Sequence, residues 1–293
     1  MKYPIVQIKT ADNINLHGLF IESEKSQAIF IHTHGTASNF YEENFIKYLV
    51  EALVASGISL LSMNNRGAGV YDAYQKTGAA VEIFEDCLLD LDAVVEFAIE
   101  KGYRKIILSG HSLGTEKVVY YMAKGKYRTK ISGVVLLAPA TSPGSHIYSD
   151  NYQPSEIERQ NVEKLMREAQ ALIAAGKGDD FMNRSAYAGI MPKSALSFAN
   201  TFNADAEISL ALPFHAGKLE LYRTISVPTF VAIGDEHEYT AIPPIEALKL
   251  MESENPLTKT HQFKNCDHDF SGHEGELANY ITRFMQSEVL NKG

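Results

Sequence analysis

The sequence predicts an α/β protein with a mostly parallel sheet covered by helices on both faces, and three observations support that class. Short apolar runs alternate with helix-period segments along most of the chain. Glycines sit where those segments should end, as at Gly57 and Gly102. The alternation stops after Ala138-Pro139 and resumes at Pro228, so a single interruption divides an otherwise continuous unit.

Residues 3–9 and 14–21 read as two strands around the turn signal Asp12-Asn13, an antiparallel edge to the sheet. Ala28 to His34 is a continuous apolar run closed by Gly35, the pattern of a strand buried on both faces. Helical spacing over 40–56 (Phe45, Leu49, Ala52, Leu53) leads to a strand at 58–63. An amphipathic helix is expected over 79–101, with Ile83, Cys87, Leu91, Val94, Val95 and Ala98 on one face. Asp86, Asp90 and Asp92 are expected on its solvated face. A strand at 105–109, a helix at 112–124 and a strand at 133–137 follow. After the interruption come a strand at 228–233, a helix at 243–253, a strand at 258–263 and a helix at 274–290.

The expected domains are a core made of 1–140 and 223–293, and a helical cap inserted at 141–222. Within the cap, Ser155-Glu156-Ile157-Glu158 reads as a capping box. It opens a helix whose apolar face holds Val162, Leu165, Met166, Ala169, Leu172 and Ile173. The inner face of such a cap would line a pocket at the carboxyl ends of the strands, where open α/β sheets bind ligands.

Composition narrows the function. Hydrophobic residues make up 45% of the 293 and charged residues 22%, as in an ordinary soluble domain that folds without metal or disulfide. Acidic residues outnumber basic ones 36 to 27, a net charge of −9, which argues against nucleic-acid or anionic-membrane partners. Two cysteines, Cys87 and Cys266, point to a reducing compartment. The first seven residues hold no apolar signal core, and no run of about 18 apolar residues occurs. A cytoplasmic protein with no membrane span is therefore expected. Its oligomeric state is left open.

The chemistry-bearing segment is Gly110-His111-Ser112-Leu113-Gly114, a Gly-x-Ser-x-Gly between an apolar strand and a helical pattern. The glycines let the strand turn sharply into the helix, holding the serine exposed at the turn. A hydroxyl needs a base to act as a nucleophile. His268, in the loop between the last strand and last helix, lies at the same sheet edge and is the candidate; His273 is the fallback. An oxyanion hole would use Leu113 N–H, directly after the nucleophile, and Thr36 N–H from the loop after the third strand. His32 and His34 could open a metal motif, but no further clustered Asp or His ligands follow them, which argues against a metal.

With these segments in place the chain resembles the α/β-hydrolase superfamily over essentially its whole length. The resemblance rests on His34-Gly35, Asn65-Arg66-Gly67-Ala68-Gly69, the Ser112 motif, Gly234-Asp235 and Asp267-His268. Within the superfamily it is most similar to bacterial and fungal esterase/lipase-like hydrolases of the siderophore-esterase type. The resemblance implies Ser112 as nucleophile, His268 as general base and a mainly structural Arg66.

The acid departs from the family pattern. Its usual position, three residues after the glycine that ends the seventh strand, is His237. A carboxylate is needed to fix the imidazole tautomer and stabilise its charge. The proline-containing loop at Ile242-Pro243-Pro244 allows an extra residue or two and favours Glu238, whereas Asp235 keeps the more usual side chain; Glu236 ranks below both.

The expected activity is hydrolysis of a small-molecule carboxylic ester or thioester through an acyl-enzyme, with no cofactor or metal implied. Amide hydrolysis and acyl transfer would use the same residues. The His237 substitution also leaves open a binding protein that has lost catalysis.

Overall fold

The computed structural model describes residues 4–24, 26–141, 156–182, 191–203 and 205–290, with the side chains of 156–160 excepted. Eight strands form one sheet: β1 (Ile5–Lys9), β2 (Asn15–Ile21), β3 (Ala28–Thr33), β4 (Ser59–Met63), β5 (Lys105–His111), β6 (Ile131–Leu137), β7 (Thr229–Ile233) and β8 (Thr258–Gln262). Their order is β1-β2-β4-β3-β5-β6-β7-β8. β2 pairs antiparallel with both β1 and β4, and every pairing from β4 to β8 is parallel.

β3 and β5 are central and almost wholly buried, which is why they read as unbroken apolar runs. The chain leaves β3 toward one side of the sheet, to β4, and returns on the other, to β5. A crevice opens at the carboxyl ends of the two strands where such a reversal occurs. Thr33 is paired with Gly110 there, so the loops after β3 and β5 emerge side by side.

Helices α1 (Phe45–Ala55), α2 (Cys87–Glu100), α3 (Leu113–Lys124), α6 (Pro244–Glu254) and α7 (Glu274–Phe284) cover the sheet. α2, α3 and α6 bury Leu91, Val94, Val118 and Leu248 against one face. α1 and α7 bury Phe45, Leu49, Leu277 and Ile281 against the other. Among the described residues no helix is long and apolar enough to cross a membrane.

Between β6 and β7 lie α4 (Glu156–Ala174) and α5 (Ala195–Phe202). They share a small core of Val162, Leu165, Ala169, Phe198 and Phe202. Ser194 caps α5 by accepting the Ser197 N–H. Ser194 N–H donates to Ala80 O at 2.8 Å, and the Ser197 hydroxyl to Glu82 O at 2.8 Å, tying this segment to the core. Ser155 of the expected capping box lies outside the described residues.

Two expectations need correction. The helix expected over 79–101 starts at Cys87, after a 3₁₀ turn at Phe84–Asp86. The preceding residues serve tertiary contacts instead: Ala79 and Ala80 N–H bond Gly69 O and Val70 O, and Glu82 is ion-paired inside the protein. Asp90, expected in solvent, is buried and receives Arg66 Nε at 3.0 Å, Nη2 at 2.8 Å and backbone N–H at 2.7 Å. Asp12 and Asp86 complete the carboxylate ring around this guanidinium. Periodicity counted Asp90 as polar; a buried cation from another loop made it an inner residue.

Removing one partner of a buried ion pair strands the other charge. Arg66→Met is therefore expected to destabilise the fold by about 3–5 kcal/mol in urea unfolding, and Arg66→Met/Asp90→Asn to recover part of that loss. A double variant no more stable than the single one would refute this account.

Candidate active site

Ser112 alone connects β5 to α3, with φ 52° and ψ −124°. This is a region costly for a residue with a Cβ. Its N–H donates to Leu137 O at 3.0 Å, and its carbonyl accepts from Thr115 N–H at 2.9 Å and the Thr115 hydroxyl at 2.6 Å. A Cβ on Gly110 would collide with the Gly114 carbonyl, and one on Gly114 with the Thr33 carbonyl. Both glycines of the motif are thus required by backbone contact. A Cβ on Gly35 would fall 2.9 Å from Ser112 Cβ and 3.5 Å from Ser112 Oγ, so the His34-Gly35-Thr36 loop rests directly on the serine. Leu113 opens α3, where N–H groups lack an intrahelical acceptor. Leu113 and Thr36 line a common cavity.

His268 lies beside this turn, its ring centroid 4.9 Å from that of His111. Its Nδ1 is 2.7 Å from Glu238 Oε2. Glu238 has a side chain only 1% exposed, and its other oxygen accepts Gly234 N–H at 2.9 Å. His237 takes a left-handed φ of 58° and faces solvent, and this turn brings the next residue, with its longer arm, back to the histidine. Asp235, weighed equally in the sequence, goes elsewhere: it is exposed and accepts Cys266 N–H at 3.2 Å. Asp235 and Glu236 N–H both donate to Cys266 O, which zips the β7 and β8 loops together and commits Asp235 to bracing them. His273 stands at the N-cap position of α7 without a side-chain capping bond and pairs with Glu276 at 3.5 Å.

Sequence reading missed Glu43. Its side chain, 5% exposed, receives His32 Nε2 at 2.6 Å, His111 Nδ1 at 3.1 Å and Gly35 N–H at 3.4 Å. His111 Nε2 meets His268 O at 2.9 Å. One carboxylate thereby ties the loop after β3 to the serine turn, and through His111 to the histidine loop. A carbonyl and a carboxylate only accept, so the Glu43–His111 pair holds a proton on each His111 nitrogen. Burial raises the Glu43 carboxyl, but His32 and His111 more than offset it and hold it well below the usual carboxylate range. Burial lowers the His111 imidazole, yet Glu43 raises it on balance. Glu43 precedes α1 without periodicity or motif, so no local signal marks it.

His34 is the opposite case. Its Nδ1–H donates to Gly35 O at 2.7 Å, and Nε2 must accept Asn65 N–H at 3.1 Å. Burial and the Lys117 charge push its pKa down to about 4. Lys117, 1% exposed, pairs with Glu82 at 2.5 Å and donates to Asn65 Oδ1 at 3.0 Å.

A serine held in a strained strand-to-helix turn, a histidine bonded to a buried carboxylate, and a mostly parallel sheet that presents both at its carboxyl edge are the marks of the α/β-hydrolase class. The family model described as serine aminopeptidase, S33, matches residues 24–196, and the chain belongs to that family of hydrolases. A search of curated proteins finds no match. Among solved structures the chain is similar to the esterase Pf2001 of Pyrococcus furiosus, at 20% identity and a TM-score of 0.60 over 98% of this chain and 92% of that one. It is also similar to Est1E of Butyrivibrio proteoclasticus, bound to ferulic acid, at 17% identity and 0.66 over 97% and 99%. The α/β hydrolase GrgF from Penicillium sp. sh18 matches at 15% identity and 0.69 over 97% and 98%. At these identities the likeness is one of fold.

Burying His34 as a neutral imidazole makes the stability of the fold depend on pH. A folded-state pKa below the ordinary value of about 6.5 gives stability that is full above pH 6.5 and lost as pH falls toward 4, about 3 kcal/mol in all. Nitrogen NMR of the labelled imidazole is expected to show the neutral Nδ1–H form persisting to about pH 4. A midpoint near 6.5 would refute it.

Proposed function

We propose that the protein hydrolyses carboxylic esters through Ser112, His268 and Glu238, with Leu113 and Thr36 N–H as the oxyanion hole and the 141–222 segment as a cap over the site. The observation that carries this reading is the buried contact between Glu238 and His268 Nδ1 at 2.7 Å, beside the strained Ser112 turn. A proton on Nδ1, donated to the carboxylate, leaves the Nε2 lone pair free to act as base.

Ser112 Oγ attacks the ester carbonyl carbon while its proton passes to His268 Nε2. The carbonyl oxygen becomes an oxyanion held by the two N–H groups, and Glu238 stabilises the imidazolium. The intermediate collapses as His268 protonates the departing alcohol, leaving an acyl-serine. Water then loses a proton to His268, attacks the acyl carbon, and the acid leaves as Ser112 is reprotonated. The same residues would serve an amide, the chemistry the family description names, and parallel assays with aminoacyl amides separate the two.

Ser112→Ala is expected to abolish labelling by a fluorophosphonate probe and to lower ester kcat by about 10⁴-fold or more. Glu238→Gln should cost about 10³–10⁴-fold, by analogy with loss of a triad acid, and Asp235→Asn less than about threefold. Labelling of the Ser112→Ala protein, or a larger loss in Asp235→Asn than in Glu238→Gln, would overturn the assignment.

A further inference from the structure

The cavity shared by Leu113 and Thr36 has an apolar wall that includes Phe84, Phe202 and Ile208, and one pole that is charged. At that pole stand Lys193, from the segment between β6 and β7, and Glu82. Glu82 is already neutralised by Lys117. Lys193 donates to Ala79 O at 3.1 Å and to the Ser197 hydroxyl at 3.1 Å, both uncharged. Among the described residues no carboxylate lies within ion-pair distance of its ammonium. An ammonium has three donors, and desolvating it without a counter-ion is costly, so buried lysines are ordinarily paired. Among the described residues the pole holds two lysines and one glutamate, with His34 behind them uncharged. One positive charge is left over at the wall of a cavity that begins at the oxyanion donors.

We infer that Lys193 is the anchor for an anionic group on the substrate, and that the preferred esters carry a carboxylate at the far end of the acyl chain. This rests on the reading of Ser112 as nucleophile. With the acyl carbonyl at Leu113 and Thr36 N–H, the acyl chain runs along the apolar wall and ends at Lys193. The carboxylate supplies the missing counter-ion and takes the third N–H in a charge-assisted bond. A peptide amino terminus would bring a second cation to the same pole, so the geometry disfavours aminopeptidase substrates.

Burial lowers the Lys193 pKa to about 8, and Glu82 and Lys117 act on it in opposite senses. Among the described residues the ionisable groups facing it are Glu82 and Lys117, with His34 beyond them. Glu82, held below the usual carboxylate range, and His34, at about 4, keep their charge states between pH 7 and 9. Over that interval anion recognition should weaken as Lys193 loses its proton.

The test is calorimetric binding to the Ser112→Ala protein, which needs no turnover. The probes are monomethyl adipate and its neutral isostere, methyl 5-carbamoylpentanoate. At pH 7 the carboxylate should bind at least about tenfold tighter, and the preference should shrink by pH 9 with Lys193 unaltered. Lys193→Met in the same background should remove the preference and Lys193→Arg retain it. Equal or weaker binding of the carboxylate at pH 7 would overturn the inference, and so would a preference that survives Lys193→Met. If the carboxylate binds preferentially but wild-type protein hydrolyses neither ester, the anion site stands and the hydrolase reading falls.

Discussion

The site depends on how closely three stretches of backbone approach one another at the carboxyl ends of β3 and β5. Gly110 meets Gly114, Gly114 meets Thr33, and Gly35 meets Ser112, each at a separation that admits no Cβ. The central strands hold this crowding because they are buried and hydrogen-bonded on both sides, so the strain at Ser112, of order 1–3 kcal/mol, cannot relax locally. One serine, two neighbouring loops and the start of a helix consequently share a few ångströms of space.

Around that point the interior is unusually ionic. Arg66 with Asp90, Lys117 with Glu82, and Glu43 with His111 each join elements distant in sequence. In a low-dielectric interior a single member of such a pair would be expensive, so each constrains the position of its partner. Glu43 is the most consequential, since its Oε1 reaches both the loop after β3 and the serine turn while Oε2 meets His32, and His111 carries the link to the backbone of His268. Lys193, which lines the cavity beside Glu82, differs from these pairs in lacking a carboxylate partner among the described residues.

Local order was written plainly in the chain. Alternating apolar runs and helical spacings predicted the eight strands and the helices that cover the sheet because burial on a sheet or a helix face imposes a period that the residues display. The motif around Ser112 was equally plain, since steric exclusion at a tight turn leaves glycine as the only residue for its two flanking positions. The position of His268 beside the serine turn followed from its place after the last strand.

What the sequence by itself determined was therefore whatever depends on near neighbours: element type, the antiparallel edge hairpin and the serine turn. Only the tertiary structure decided which of Asp235 and Glu238 contacts His268. That choice turns on the path of a loop pinned by Cys266, some thirty residues away, and on which side chain is long enough to come back from it. The same holds for Asp90, drawn inside by Arg66, for the late start of α2 and for Glu43. Each is settled by a charge or a hydrogen bond arriving from a distant segment, and hydropathy carries no record of which distant segment that will be.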